Sequence, residues 1–302
     1  MIKEKVIVDT DPGVDDATAL TILMFNDKVD IKLITTTAGN VGIGTTTKNA
    51  LFLVEKFNKN IPIAVGADKP LNKPCHYASN IHGIGGLGGF TDITVTHSPI
   101  SEDAVDSMYK VIKENPNEIT ILELAPHTNL AMLFKKHPDA IKLIKQIIFE
   151  GGSPYGKENV KPHISFNISF DPDAANMVIN SKVKKTLVPS ELGRYIAPFS
   201  SEQVEIIKNT NKTGEFLAKM FEGYKSKYIL NSTETNDLSA IMYFLYPEIF
   251  TTYNCNIKVD TTTQLGKTTI TETNGGLTTF VESTDKDKFF ELFLTNLKNI
   301  NI

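Results

Sequence analysis

Val6-Ile7-Val8-Asp9-Thr10-Asp11-Pro12-Gly13-Val14-Asp15-Asp16-Ala17 lies at the start of the chain and decides how the rest is read. Three β-branched residues stopped by an aspartate read as a short buried strand. Beyond Pro12-Gly13 the pattern changes: Val14, Ala17, Leu20, Thr21 and Met24 recur at helical spacing and predict a helix with one mostly apolar face. Strand, turn and helix make the first unit of an α/β fold. Four carboxylates, Asp9, Asp11, Asp15 and Asp16, crowd that junction. Such a cluster repels itself and costs stability unless something positive binds it. It lies at the carboxyl end of the first strand, where open α/β sheets place ligands. Oxygen-only ligands select a hard cation, calcium or magnesium, over zinc. Acids at a helix N-terminus would account for Asp15 and Asp16, but not for Asp9 and Asp11 upstream of the turn.

Working outward, the alternation continues. Residues 31–37 read as a strand closed by Ala38-Gly39-Asn40, 45–57 as a helix and 63–65 as a strand. Residues 70–99, with the glycine-rich run His82 to Phe90, read as a long loop, since glycine is costly inside helices and strands. Helices at 103–113 and 129–136 then alternate with strands at 119–124 and 146–149. A second irregular stretch covers 153–169. Asp171 as N-cap and Pro172 in the first turn open a helix to about 181, followed by a strand at 185–188. The chain is then mainly helical to about 246, with antiparallel strand candidates at 254–259 and 268–272 and a last helix at 285–297. The expected fold is α/β: a mostly parallel open sheet flanked by helices, with a small antiparallel excursion near the C-terminus. No linker, repeat or low-complexity tract interrupts it, so residues 1–302 are expected to form a single domain.

Composition narrows the function. A net charge of -4 over 302 residues carries no basic excess for nucleic acid. No apolar run approaches the roughly 20 residues needed to cross a bilayer. Cys75 and Cys255 stand outside any CxxC or Cys/His array, which argues against a zinc or redox site and fits a reducing cytoplasm. A soluble cytoplasmic protein is expected, with no apolar signal core at the N-terminus.

The ordered motifs resemble those of the inosine–uridine-preferring nucleoside hydrolases. DTDPGVDDA (Asp9 to Ala17) is close to that family's signature. TTTAGNV (Thr35 to Val41), HGIGGLGG (His82 to Gly89), APHTNLA (Ala125 to Ala131), EGGS (Glu150 to Ser153), ISFNISFDPDAA (Ile164 to Ala175) and NDLSA (Asn236 to Ala240) follow in the family's order. The resemblance covers most of the chain. It implies one Ca²⁺ per chain, held by Asp11, Asp16, the Thr128 backbone carbonyl and Asp237, a donor set suited to calcium's flexible oxygen coordination. It implies Asp11 as general base on the metal-bound water, with a transition state of oxocarbenium character. Asp15, Asn40, Asn167 and Asp237 would hold the ribose. Asn159, Glu150 and Ser165 would lie towards its 5′ end. His82, Tyr224, Tyr228 and Asn236 would lie on the base side, His82 and Asn236 in the catalytic set. A nucleoside substrate and a homodimer or homotetramer complete the expectation. Read as bare residues, the asparagines fit turns, His82 an ordinary loop and the two tyrosines one buried helix face.

The departures from the family fall on the substrate side. Asn236 stands where a histidine usually precedes the late aspartate; asparagine has no titrating proton and cannot act as a general acid, though it can hydrogen-bond the base. Ser165 stands where a glutamate usually reads the 5′-hydroxyl. Glu150 replaces a methionine nearby and adds an acid back, while Gly85 and His127 also differ. These changes predict unusual specificity or weak activity on standard nucleosides. Two other readings follow: a non-catalytic ribosyl-ligand binding protein, and a haloacid-dehalogenase-like Mg²⁺ phosphatase, for which Asp9-Thr10-Asp11 fits but no late Asp-Asp pair is found.

Overall fold

The computed structural model describes residues 3–90, 92–157, 160–224 and 231–300. In chain order the elements are β1 (Glu4–Thr10), α1 (Val14–Met24), β2 (Val29–Thr36), α2 (Ile43–Lys56), β3 (Ile63–Val65), α3 (Ser79–His82), α4 (Ala104–Glu114), β4 (Thr120–Glu123), α5 (Thr128–Lys136), β5 (Gln146–Glu150), α6 (Phe166–Phe170), α7 (Pro172–Ile179) and β6 (Lys185–Val188). There follow a π-helical turn (Leu192–Ile196), β7 (Phe199–Ser200), α8 (Ser201–Lys208), α9 (Lys212–Phe221), β8 (Ser232–Thr233), α10 (Asn236–Leu245), β9 (Phe250–Val259), β10 (Thr268–Glu272), β11 (Thr278–Thr284) and α11 (Lys286–Lys298).

The sheet order is β10-β9-β11-β6-β5-β4-β1-β2-β3. From β3 to β11 neighbouring strands are parallel, and β9 and β10 add antiparallel pairs at the edge. This is the expected α/β architecture, and it adds β11, which the sequence reading left unassigned. The chain leaves β1 in one direction through β2 and β3, and in the other through β4, β5 and β6. The switch therefore lies between β1 and β4, whose carboxyl ends carry Asp9 and Glu123 in register. Parallel sheets open a ligand crevice at such a point.

Period-2 alternation divides the core. Val6 and Val8 join the cluster under α1, α2, α9, α10 and α11, whereas Ile7 joins the one under α4, α5 and α7. The first helix departs from expectation. All of α1 is buried, including Asp15, Asp16, Thr18 and Thr21, so it is a core helix without a solvent face. Its polar residues are satisfied inside: Thr18 Oγ1 donates to Val14 O and Thr21 Oγ1 to Ala17 O. Short helices α3 and α6 interrupt the two stretches expected to be irregular. Among the described residues no helix is long and apolar enough to cross a membrane.

Candidate active site

The β1–α1 turn is built by its own aspartates. Asp16, in the first turn of α1, reaches back: its Oδ2 accepts from Gly13 N at 2.9 Å, and its Oδ1 from Thr10 Oγ1 at 2.6 Å and Asp11 N at 3.2 Å. Asn40, in the loop between β2 and α2, donates its backbone N–H to Asp11 Oδ2 at 2.6 Å and its side-chain amide to Asp16 Oδ2 at 3.0 Å and Asp11 O at 3.2 Å. Gly13 permits this, because a Cβ there would meet Asn40 Nδ2 at 2.7 Å and the His82 ring. Asp9 accepts from Asn129 Nδ2 at 2.7 Å and from Thr35 Oγ1. It braces β1 against β2 and α5.

These bonds leave oxygen atoms over. Asp11 Oδ1 and Asp15 Oδ1 are buried with no hydrogen-bond partner, as is Asp9 Oδ2. Asp237, in the first turn of α10, is 3% exposed. Asp15, Asp16 and Asp237 each place a carboxylate oxygen within 4.8 Å of the others. Burial is the largest cause raising all four pKa values: Asp11 and Asp237 are raised well above the usual carboxylate range, Asp16 is raised, and Asp15 is pushed up to about 6. Neighbouring carboxylates reinforce the rise at Asp11, Asp16 and Asp237. Unpartnered anionic oxygens in a dry, all-oxygen cluster fit a hard divalent cation, which would reverse the repulsion. Thr128, at the start of α5, is buried, and its hydroxyl donates to Asp171 Oδ2 at 2.8 Å.

Beside the cluster lies a cavity of about 880 Å³, lined by Asp15, Asn40, His82, Glu150, Asn167, Tyr224, Asn236 and Asp237 among others. Asn167 donates its amide protons to Leu124 O and to Glu150 Oε2, both at 2.8 Å. The amide protons of Asn40 and Asn167 are thus engaged within the protein, and their carbonyl oxygens remain for a ligand. Glu150 also accepts from Ser190 Oγ at 2.7 Å, and burial pushes it up to about 8. Ser165 is placed elsewhere: its hydroxyl accepts from Gly152 N at 2.6 Å, bracing the Gly-Gly turn, and it does not line the cavity.

His82 Nδ1 accepts from Val14 N at 3.3 Å, and the ring lies 5.1 Å from that of Tyr224. Burial lowers its pKa to about 4. The imidazole is therefore neutral at physiological pH, and its 3.8 Å approach to Asp15 is not an ion pair. Tyr224 donates its hydroxyl to Asp15 Oδ2 at 3.0 Å. It lies beyond the end of α9 and not on a helix, so the reading of Tyr224 and Tyr228 as one helical face fails at its first member. Tyr228 and Asn159 lie outside the described residues. Among the lining residues without a signal in the sequence are Arg194 and Glu234, paired at 3.0 Å through Arg194 Nε and Glu234 Oε2.

Residues 6–291 match the family described as inosine-uridine preferring nucleoside hydrolase. A non-specific ribonucleoside hydrolase, RihC of Salmonella newport, is 34% identical over 273 residues, covering 90% of this chain and 89% of that protein. Among solved structures, a plant nucleoside hydrolase, the PpNRh1 enzyme, superposes with a TM-score of 0.92 at 27% identity, over 98% of this chain and 99% of its own. A purine-preferring ribonucleoside hydrolase from Gardnerella vaginalis gives a TM-score of 0.90 at 25% identity, over 98% of each chain.

Proposed function

Because the chain belongs to the inosine–uridine-preferring nucleoside hydrolase family and is thus a hydrolase of N-glycosyl bonds, we propose that it splits ribonucleosides to base and ribose in a calcium-dependent reaction with Asp11 as base. The observation that carries this reading is the set of unpartnered buried oxygens, Asp11 Oδ1 and Asp15 Oδ1, in a carboxylate cluster whose Asp15 and Asp237 line a cavity of nucleoside size. Asp11, Asp16, Asp237 and the Thr128 carbonyl would hold the ion. The 4.8 Å triplet consists of Asp15, Asp16 and Asp237, so it adds Asp15 to the oxygens within reach and does not include Asp11. When bound, a hard divalent cation acidifies the attacking water and orients the sugar hydroxyls.

The chain's own residues do the rest. Asp11 Oδ2 is fixed by the Asn40 amide, so Oδ1 is the atom left to take the proton from water as it attacks the anomeric carbon. Asp15, Asn40 and Asn167 accept hydrogen bonds from the ribose hydroxyls and hold the sugar as the glycosidic electron pair leaves with the base, which takes up a proton from solvent. The buried carboxylates stabilise the positive charge that develops on the sugar. Glu150 lines the cavity beside Asn167 and is the acid placed to meet the 5′ end, the role that Ser165, turned to Gly152, does not fill. One domain over residues 1–302 and a homo-oligomer of nucleoside hydrolases in the cytoplasm belong to the same proposal. Family membership displaces the phosphatase reading of Asp9-Thr10-Asp11.

Release of free base from a nucleoside panel, with and without chelator, tests the reading. Turnover restored by millimolar calcium is the expected result. Nitrophenyl riboside, whose leaving group needs no acid, should react best. If calcium binds but nitrophenyl riboside stays intact, the catalytic proposal is wrong.

A further inference from the structure

Glu123 is the last residue of β4 and His127 the residue before α5. Both are fully buried, and Glu123 Oε1 lies 3.2 Å from His127 Nδ1 across the turn that joins the two elements. The bond leaves one polar atom over on each side chain: Glu123 Oε2 and His127 Nε2 are buried without a hydrogen-bond partner. Neither residue lines the cavity, and the His127 ring stands at 78° to that of Phe149, 5.1 Å away. Such a pair is a poor source of stability. A buried polar couple with unsatisfied atoms is commonly less stable than apolar side chains of the same volume. Glu123 adds to the cost, because its in-register neighbour on β1 is another buried acid, Asp9.

What the pair does hold is the backbone between its members. Leu124 N donates to Asp9 O at 2.8 Å, which ties the entry of the turn to β1. At the exit Thr128 N donates to Pro126 O at 2.8 Å, so the chain folds back on itself immediately before α5. His127 is not an ordinary N-cap. Its backbone stands at φ -67° and ψ 13° rather than extended, and its side chain caps no N–H of the helix. The ring is turned back to Glu123 instead. The orientation of Thr128, whose carbonyl belongs to the proposed ion set, follows from that of His127 before it.

Resting on the calcium reading, we propose that Glu123 and His127 are positioning residues for the ion: their bond locks the β4–α5 turn so that the Thr128 carbonyl is presented to the cation, at a cost in stability that apolar side chains would not incur. The pair acts through Thr128 and supplies no ligand of its own. The fold can do without both polar groups, whereas the ion site cannot.

The test sets calcium affinity against stability. Chelator-treated full-length protein is titrated with calcium by calorimetry, and its metal-free Tm is measured, for the wild type, Glu123→Gln, His127→Phe and the double variant Glu123→Leu/His127→Phe. The dissociation constant comes from the shape of the isotherm, and the fraction folded enters only the stoichiometry. Phenylalanine keeps a ring against Phe149, and glutamine keeps a hydrogen-bonding partner for either tautomer of His127. Groups that orient an ion's ligands from behind are typically worth about tenfold or more in metal affinity. The double variant should therefore bind calcium about tenfold more weakly than wild type, while its metal-free Tm equals or exceeds that of wild type. His127→Phe should weaken binding to a similar degree, and Glu123→Gln should stay within about twofold of wild type. Wild-type calcium affinity in the double variant overturns the proposal, as does a Glu123→Gln variant that binds as weakly as the double. So does a loss of affinity accompanied by a loss of metal-free stability, up to failure to fold, which is what a purely structural pair would give. Those outcomes leave the calcium reading standing. A wild type that takes up no calcium removes both.

Discussion

Asp11 and Asp16 show how residues of one type, five positions apart, are given different work. Asp16 accepts four hydrogen bonds and shapes the turn; Asp11 accepts one from Asn40 and keeps an oxygen free. Asp11→Ala should therefore lower turnover by several orders of magnitude while the fold persists, because base and ion ligand act in one step. Steady-state kinetics beside a thermal melt checks this; near-normal turnover would discard the assignment. Gly13→Ala is the steric counterpart. Its Cβ meets Asn40 and His82, so it should impair kcat with little change in the secondary structure seen by circular dichroism.

At the scale of elements, Asp171 is a junction. It caps α7 through Ala174 N at 3.1 Å, holds the loop at Leu71 N at 2.8 Å and receives the Thr128 hydroxyl at 2.8 Å. Losing a cap alone costs about 1 kcal/mol, and the two further bonds raise the expected cost of Asp171→Ala to roughly 2–3 kcal/mol. Urea denaturation measures it. Calcium affinity should weaken in the same variant, since Thr128 loses its anchor. Unchanged affinity would separate α5 from the ion site. The sequence was informative at this scale: Asp171-Pro172 and the strand–turn–helix at Asp9–Asp16 are local signals, and the elements formed where they point. The strand at Thr278–Thr284 carries no comparably local signal, since its place depends on β6 on one side and β9 on the other.

For the whole molecule, the buried carboxylates link stability to pH. Asp15 and Glu150 have folded values raised to about 6 and about 8, against ordinary values of 3.8 and 4.5. A raised folded pKa means the native state holds more protons than the unfolded one between the two values. Stability from these groups is thus full below the ordinary values and is lost as pH rises through about 6 and about 8. A divalent cation favours the ionised forms and competes with those protons. The Tm gained on adding calcium to chelator-treated protein should therefore grow from pH 5 to pH 8. A calcium-induced shift that is flat or shrinking over that range would show that the ion does not compete with protons on the aspartate cluster to which Asp15 belongs.

The sequence by itself determined the α/β alternation, the aspartate cluster at the end of the first strand and the order of the family's motifs. Each is written in neighbouring residues, where β-branched runs, a Pro-Gly turn and helical spacing act within a few positions. Only the tertiary structure decided how side chains distant in the chain divide the cavity. Glu150 and Ser165 look interchangeable as a string, yet β5 carries one to the cavity wall and the start of α6 turns the other to Gly152. Arg194 meets Glu234 because a π-helical turn lies against α10. Asn236 could be read from the chain as an absent acid; that the Glu234 to which its amide donates is also held by Arg194, 40 positions away, comes from packing, which no local spacing encodes.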